Sequence, residues 1–509
     1  MIDQLDEALK KHYHFASFRT GQKEIIEDLV EGNNVLGILP TGSGKSLCYQ
    51  LPARITGGTV LVVSPLISLM IDQVKQLKAT GFKEVVAINS FLNASQKQQV
   101  INQIHDYKLI YVSPEMLQNK HFIKKLMGIN ISLFVVDEAH CISQWGHEFR
   151  PDYLKLGEII QKLAQPTILA LSATATPEVQ EDIIRQLGYP FNKHIYPMDR
   201  DNIALSVQHM SHDNEKLDYI VDVLSSYSVS TMIYFSSRNW TEKAAAILEK
   251  ELSHLRIAFY HGGMEQADRI LIQQQYMNNQ LDVVCCTSAF GMGINKMNIR
   301  LVIHFHLPTQ IESFIQEIGR AGRDGKSSVS LVLLSPSDEF IPKKLISMEL
   351  PSRQLIETIV YSLKANQGNN SIDPLQLQAH FELNEIQWRF LHYQFEKYGM
   401  LNELNIVPNF DQWESLIETI SERIDYRNQY KYKKLAELFA WATSNDVCRR
   451  SRLFSAFQDT IKEPKYLCCD RCDFSFTKWN PESLSRKERS HSWQETLKLL
   501  LLQGGKHEF

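Results

Sequence analysis

Along the first two-thirds of the chain, short apolar runs alternate with longer polar stretches of helical character. Five runs come early: VLGILP, VLVVSP, KLIYVSP, LFVVDEA and TILALSA. Five more follow: STMIYFSS, RIAFYHG, DVVCCTS, RLVIHFH and SVSLVLLS. Runs this short, bounded by turn-forming residues, predict strands. They are apolar almost throughout and do not alternate, so both faces should be covered by helices, as in a parallel sheet. The pattern divides near residue 205, around the polar stretch SVQHMSHDNEK. Two α/β units are therefore expected, over 1–205 and 206–340, with a cleft between them. After about residue 340 the strand pattern stops.

Residues 353–400 read as helical, interrupted by NQGNNSID. DPLQLQAHF, a short turn and NEIQWRFLHYQFEKYGML, ending at Gly399, fit either a winged-helix core or a plain helical packing unit, assigned to 341–423. Residues 424–475 carry a cysteine cluster. The tail, 476–509, is charged and then leucine-rich, and one helix is expected there.

Composition narrows this picture only a little. The 509 residues exceed a single compact core, and the apolar (44%) and charged (22%) fractions are those of a soluble protein. No apolar run is long enough to span a membrane. The N-terminus lacks the apolar core of a secretory signal. A cytoplasmic protein without a membrane partner is expected. The net charge of −4 gives no general affinity for nucleic acid, so binding would need local basic or aromatic surfaces. Four of the eight cysteines crowd the C-terminal part, Cys448, Cys468, Cys469 and Cys472, which suggests a metal before a disulfide in such a chain.

The chemistry begins with LPTGSGKS, residues 39–46. It follows an apolar strand and precedes a helical run, the context of a phosphate-binding loop, although Leu39 stands where the usual pattern has glycine. Thr41, Gly42, Ser43 and Gly44 would wrap ATP phosphates, Lys45 would reach the β and γ phosphates, and Ser46 would hold Mg²⁺. FVVDEAH then places Asp137 and Glu138 at the end of a buried strand. Asp137 is expected on the Mg²⁺ side and Glu138 as the base that orients the attacking water, with His140 coupling this site to LSATAT (171–176). Upstream, Arg19 and Gln22 of FRTGQ are candidates for adenine recognition, because an amide donates and accepts at once. In the second half Arg320 and Arg323, three apart in QEIGRAGRDG, are candidate arginine fingers reaching across the cleft.

Taken together, DEAHCISQWGHEFRPDY (137–153), FRTGQ upstream and AFGMGINK…QEIGRAGRDG downstream resemble the RecQ family of superfamily 2 helicases, most of all its short bacterial members. The resemblance is dense over about residues 1–340 and looser to about 475. It implies two tandem RecA-like domains followed by the helical segment and a zinc module. It further implies ATP-dependent 3′–5′ translocation on single-stranded DNA and unwinding of tailed duplex, in DNA repair and recombination. Single-stranded DNA-binding protein and recombination factors are the candidate protein partners, and the nucleoid the site of action. Trp145, Phe149, Arg150 and Tyr153 would lie on an aromatic-rich loop coupling DNA to ATP hydrolysis, since exposed rings stack on bases. Packing between domains is the other reading of Trp145 and Phe149. Ser64, Pro65, Ser113, Arg150, Arg238 and Thr287 lie where such helicases grip the phosphate backbone.

By the same resemblance Cys448, Cys469 and Cys472 match a Zn²⁺ module. Tyr466 stands where many relatives have a fourth cysteine, and Cys468 is the nearest spare thiol. A set of buried thiols is the alternative. The order also departs from many relatives, because the winged-helix-like segment precedes the zinc module and only a short tail follows. Two rivals remain open: an RNA-directed DExH helicase, and a DNA-bound scaffold with a vestigial ATPase.

Overall fold

The computed structural model describes residues 4–89, 92–143, 150–291, 294, 296–365, 371–408 and 410–484. The first sheet has seven parallel strands: β1 (Val35–Ile38), β2 (Thr59–Val63), β3 (Val85–Ile88), β4 (Leu109–Val112), β5 (Ile131–Val136), β6 (Thr167–Ser172) and β7 (Asn192–Ile195), in the order β3-β4-β2-β5-β6-β1-β7. The second has six parallel strands: β8 (Ile203–His209), β9 (Thr231–Tyr234), β10 (Ile257–Tyr260), β11 (Val283–Cys286), β12 (Leu301–His304) and β13 (Ser328–Leu334), ordered β10-β11-β9-β12-β13-β8. Helices cover both faces, and the central strands are buried along their whole length, which is why their sequences carry no alternation. These are two RecA-like domains with a helical C-terminal region.

All ten apolar runs form strands. Three strands have no counterpart among them. β3 and β7 are edge strands, and β7 reads NKHI because most of it faces solvent. β8 overlaps the stretch read as a polar connection: residue 205 lies inside it, and the chain passes from one sheet to the other between Ile195 and Ile203.

Beyond the sheets, helices Arg353–Ala365, Pro374–His380 and Glu385–Lys397 lead into a small hairpin, β14 (Leu401–Asn402) with β15 (Asn405–Ile406). Asn384 and Gln387 form a reciprocal capping box that starts the third helix. This helix-turn-helix with a hairpin encloses its own apolar core around Ile359, Trp388, Leu391 and Phe395. A single 31-residue helix, Trp413–Thr443, follows and runs straight through residue 423. Its first half packs in that small core. Its second half, with Leu435, Leu438 and Trp441, packs in the large core shared with the sheets.

Candidate nucleotide site and cysteine cluster

The phosphate loop leaves the C-terminal end of β1. Gly42 and Gly44 have φ of +81° and +78°, left-handed values that a side chain would strain, so their N–H groups can turn inward. Leu39 needs no such freedom. It is fully buried, continues the strand by donating from its N–H to the Ser172 carbonyl at 3.1 Å, and packs against Gly21. The glycine usual at that position is therefore dispensable here.

Arg19 and Gln22 clasp the loop from outside. Arg19 Nη1 donates to the Gly42 carbonyl at 2.7 Å, and Gln22 Nε2 to the carbonyls of Ser43 and Gly44 at 2.9 and 3.0 Å. A cleft of about 630 Å³ opens beside them, lined by Tyr13, Phe15, Gln22, Gly44 and Ser46, with Met297 from the second domain at its edge. Tyr13 and Phe15, stacked at 6.2 Å, line this cleft and belong to none of the motifs.

Asp137 and Glu138 follow β5. Ser64 Oγ donates to Asp137 Oδ2 at 3.4 Å. Burial first, then the neighbouring Glu138 carboxylate, push the Asp137 carboxyl up to about 7, against the opposing pull of Lys45. Such a carboxylate gains from a cation beside it. Glu138 adopts φ +49°, a strained conformation for a side-chain-bearing residue. His140, wholly buried, lies 3.4 Å from Glu138 Oε2 and 2.9 Å from Ser172 Oγ, so it links the acid pair to the end of β6.

Across the cleft the helix Ile311–Ile318 ends at Gly319, against Thr41, and leads to the two arginines. Arg320 donates to the Gly291 carbonyl, and Arg323 Nη1 to that of Ile294 at 2.6 Å. Both guanidiniums thus rest on the AFGMGINK segment of their own domain. The Arg323 stem also touches the phosphate loop, its Cγ 3.2 Å from where a Gly42 Cβ would lie. Burial, then the charges of Arg320 and Arg200, push the Arg323 pKa down to about 9. Arg323 and Arg200 at the phosphate loop, with the charge of Arg320 beside Arg323, make a site that an anion would relieve. Arg200 had no motif to announce it.

The candidates for backbone contact separate. Arg238 is exposed at the start of the helix Arg238–Glu251, and Thr287 is partly exposed beside a cleft of about 210 Å³. Ser64, Pro65 and Ser113 are buried at strand ends. Ser64 is turned to Asp137, so its side chain is not on an outer DNA face. Tyr153 is a correction: it is 1% exposed, and its hydroxyl donates to the Asp137 carbonyl at 3.2 Å. Its ring fills the core of the first domain because a 3₁₀ turn, Pro151–Lys155, folds it inward. Arg150 precedes this turn, its N–H held by the Cys141 carbonyl at 3.1 Å. Trp145 and Phe149 lie outside the described residues.

The four clustered cysteines converge. Their sulfurs lie within 4.8 Å of one another, with Cys448–Cys468 at 3.5 Å, Cys448–Cys469 at 3.9 Å and Cys469–Cys472 at 3.6 Å. Four thiolates on tetrahedral zinc, with Zn–S near 2.3 Å, stand about 3.8 Å apart. The cluster fits that ion, and Cys468 could supply the fourth ligand. The hydrogen bond from Cys468 leads in pulling the Cys469 thiol down to about 4, while that same bond raises the Cys468 thiol and burial raises that of Cys472.

Residues 19–183 match the DEAD/DEAH box helicase family, and residues 215–325 the helicase conserved C-terminal domain. The chain is 40% identical over 500 residues to the probable ATP-dependent DNA helicase RecS of Bacillus subtilis, covering 97% of each. It is 42% identical over 352 residues to the ATP-dependent DNA helicase RecQ of Haemophilus influenzae, covering 68% of this chain and 56% of that one. The helicase Lhr of Mycobacterium smegmatis, solved with single-stranded DNA and AMP-PNP, shares the fold at a TM-score of 0.55 and 18% identity, over 87% of this chain and 74% of that one. Among the described residues no helix is long and apolar enough to cross a membrane. With a phosphate loop, an acid pair and an arginine pair facing one another between two RecA-like sheets, and with 40% identity over nearly the full length of a relative of this type, the chain belongs to the RecQ family of ATP-dependent DNA helicases.

Proposed function

We propose that this protein hydrolyses ATP when single-stranded DNA is bound, moves 3′ to 5′ along that strand and displaces the complementary one, in repair and recombination. The observation that carries this reading is the apposition of Thr41–Ser46 and Arg320–Arg323 across the cleft, with Arg323 already against Gly42. Lys45 and the arginines would neutralise phosphate charge, Glu138 would orient the attacking water, and Arg19, Gln22, Tyr13 and Phe15 would hold the base. Ser46 and Asp137 would hold Mg²⁺, which supplies further neutralisation of phosphate charge. The four cysteines would hold Zn²⁺ as a structural centre. DNA would cross the strand ends that carry Arg150, Arg238 and Thr287, and Trp145 and Phe149 would couple it to turnover.

The test is strand displacement on two matched duplexes, one with a 3′ and one with a 5′ single-stranded tail, with ATP and Mg²⁺ and Lys45→Ala protein as control. Unwinding of the 3′-tailed duplex alone is expected. Opening of the 5′-tailed duplex would reverse the polarity, and DNA binding without any unwinding would favour a scaffold. Trp145→Ala should keep basal turnover and lose its stimulation by DNA; an unchanged response removes that residue from the coupling.

A further inference from the structure

Residues 198–205, which end the connection between the two sheets and begin β8, are gripped from both sides. On one side stands the cysteine-bearing module. Arg450, 1% exposed, donates from Nη1 to the Arg200 carbonyl at 2.8 Å and from Nη2 to the Ile203 carbonyl. Gln458 accepts from the Met198 N–H at 2.8 Å and donates to Asp199 Oδ1 at 3.0 Å, while the Lys462 N–H donates to Asp199 Oδ2 at 2.6 Å. The Leu205 N–H donates to the Cys468 carbonyl at 3.1 Å, and the Asp470 N–H to the Leu205 carbonyl at 2.9 Å. The module is therefore stitched to the edge strand β8 and to the connection before it, within the same segment that carries two of the four thiols.

On the other side is the nucleotide cleft. Arg200 Nη1 donates to the Thr41 carbonyl at 3.3 Å, and Nη2 to the Gly322 carbonyl at 2.6 Å. Thr41 belongs to the phosphate loop, and Gly322 lies between Arg320 and Arg323. One planar guanidinium thus joins the loop of the first domain to the arginine segment of the second. Its backbone meanwhile is fixed by the module. Asn202 adds a second tie, donating to the Gly322 carbonyl at 2.8 Å. Besides these two carbonyls, Arg200 Nη2 donates to Asn202 Oδ1 at 3.3 Å, so the guanidinium is held by oxygens of both domains.

We propose that Arg200 is a positioning residue for ATP turnover, setting the phosphate loop and the Arg320–Arg323 segment in register and anchoring both, through the inter-sheet connection, to the cysteine module. This rests on the ATPase reading above. A fork with two donors in fixed geometry can hold two carbonyls of different domains at once, which a lysine ammonium on a flexible stem does far less well. Burial is the leading pull on its pKa, which is lowered, as expected of a cation retained inside for its geometry. The module then has a mechanical role: it fixes the pivot about which the cleft closes.

The experiment compares full-length wild type, Arg200→Ala, Arg200→Lys and Gln458→Ala. Steady-state ATPase with saturating single-stranded DNA is measured beside binding of a non-hydrolysable ATP analogue, zinc content and Tm. Loss of register at a reacting centre lowers turnover about tenfold to a hundredfold. Arg200→Ala should show that fall in kcat, with analogue affinity within about threefold of wild type and unchanged zinc and Tm. Arg200→Lys should recover only part of it. Gln458→Ala, far from the phosphates, should lower kcat in the same direction by a smaller factor. Wild-type kcat in Arg200→Ala overturns the inference and leaves the ATPase reading standing. A fall in Tm and zinc content that accounts for the lost turnover also overturns it, because the residue would then be structural only. Absence of turnover in the wild type would remove the ATPase reading and this inference with it.

Discussion

Gly319 lies so close to Thr41 that a Cβ on the glycine would come within 1.9 Å of the threonine Oγ1. The phosphate loop of one domain and the end of the arginine helix of the other are thus in van der Waals contact. The glycine is held there by space and not by backbone conformation, since its φ of −62° suits any residue.

Gly319→Ala should therefore fold normally but resist closure. We expect a fall in kcat of about tenfold or more with Tm little changed. Adding Thr41→Ala removes the nearest atom and should restore part of the loss. Steady-state kinetics on the two single variants and the double variant measure this. Equal kcat in Gly319→Ala and wild type would mean that this contact is not made during turnover.

The third helix of the helix-turn-helix is docked on the first domain. Arg389 pairs with Glu115 at 2.9 Å and Asp152 at 3.1 Å, and Lys155 with Glu396 at 2.7 Å. The Glu115 side of this contact follows Ser113, and Asp152 neighbours Arg150, so the helical segment touches the loops expected to meet DNA. The paired side chains are 21–35% exposed, and each pair should contribute only ~0.5–1 kcal/mol. A double-mutant cycle on Arg389→Ala and Glu115→Ala, read by urea unfolding, should return a coupling of that size. It should shrink in high salt. Strict additivity would show that the pair does not form in solution.

His306 is buried beside the Lys216–Asp338 pair. Burial, then the Lys216 charge, push its pKa down to about 3, so the folded chain holds this imidazole neutral. The unfolded chain takes up the proton near pH 6.5 and the folded one does not. Stability should fall as pH drops from about 6.5 toward 3, by up to ~1.4 kcal/mol per unit from this group. Urea midpoints between pH 7 and 5 should decline less steeply in His306→Asn than in wild type. Parallel slopes would contradict the assignment.

Metal analysis of reduced, freshly purified protein should find one zinc per chain. Removing it with a chelator should loosen Leu205 and Asp470 as well as the cysteines, because their backbones are joined. Hydrogen exchange would then rise across residues 198–205. Zinc-free protein with unchanged exchange there would separate the cluster from the inter-sheet connection.

Much of this was open to reading without coordinates. An apolar run such as LFVVDEA declares a buried strand because burial on both faces demands apolar residues at every position, and a motif at its end inherits that strand's place in the sheet. LPTGSGKS and the acid pair could be placed in the sheet for that reason, whereas the arginine pair, which follows a helix, and the four thiols were singled out by residue type and spacing. The clustering of Cys448 with Cys468, Cys469 and Cys472 was indicated by residue type, and only the tertiary structure brings the Cys468 sulfur to within 4.8 Å of the other three.

What the tertiary structure decided are relations between residues far apart in the chain. Tyr153 reads as an exposed aromatic on a loop, but the turn after Arg150 carries it inside to the Asp137 carbonyl. β8 looked like a polar connection because an edge strand needs apolar residues over only part of its length. Arg200 lies in no motif. Its meaning comes from Thr41, Gly322 and Arg450, which are 159, 122 and 250 residues away along the chain. Local pattern records whether a position is buried, and not which distant group will stand beside it. The buried apolar strands and the chemical motifs were therefore set by the sequence alone, and the edge strands and the contacts that join two sheets, a cysteine module and a nucleotide cleft were decided by packing.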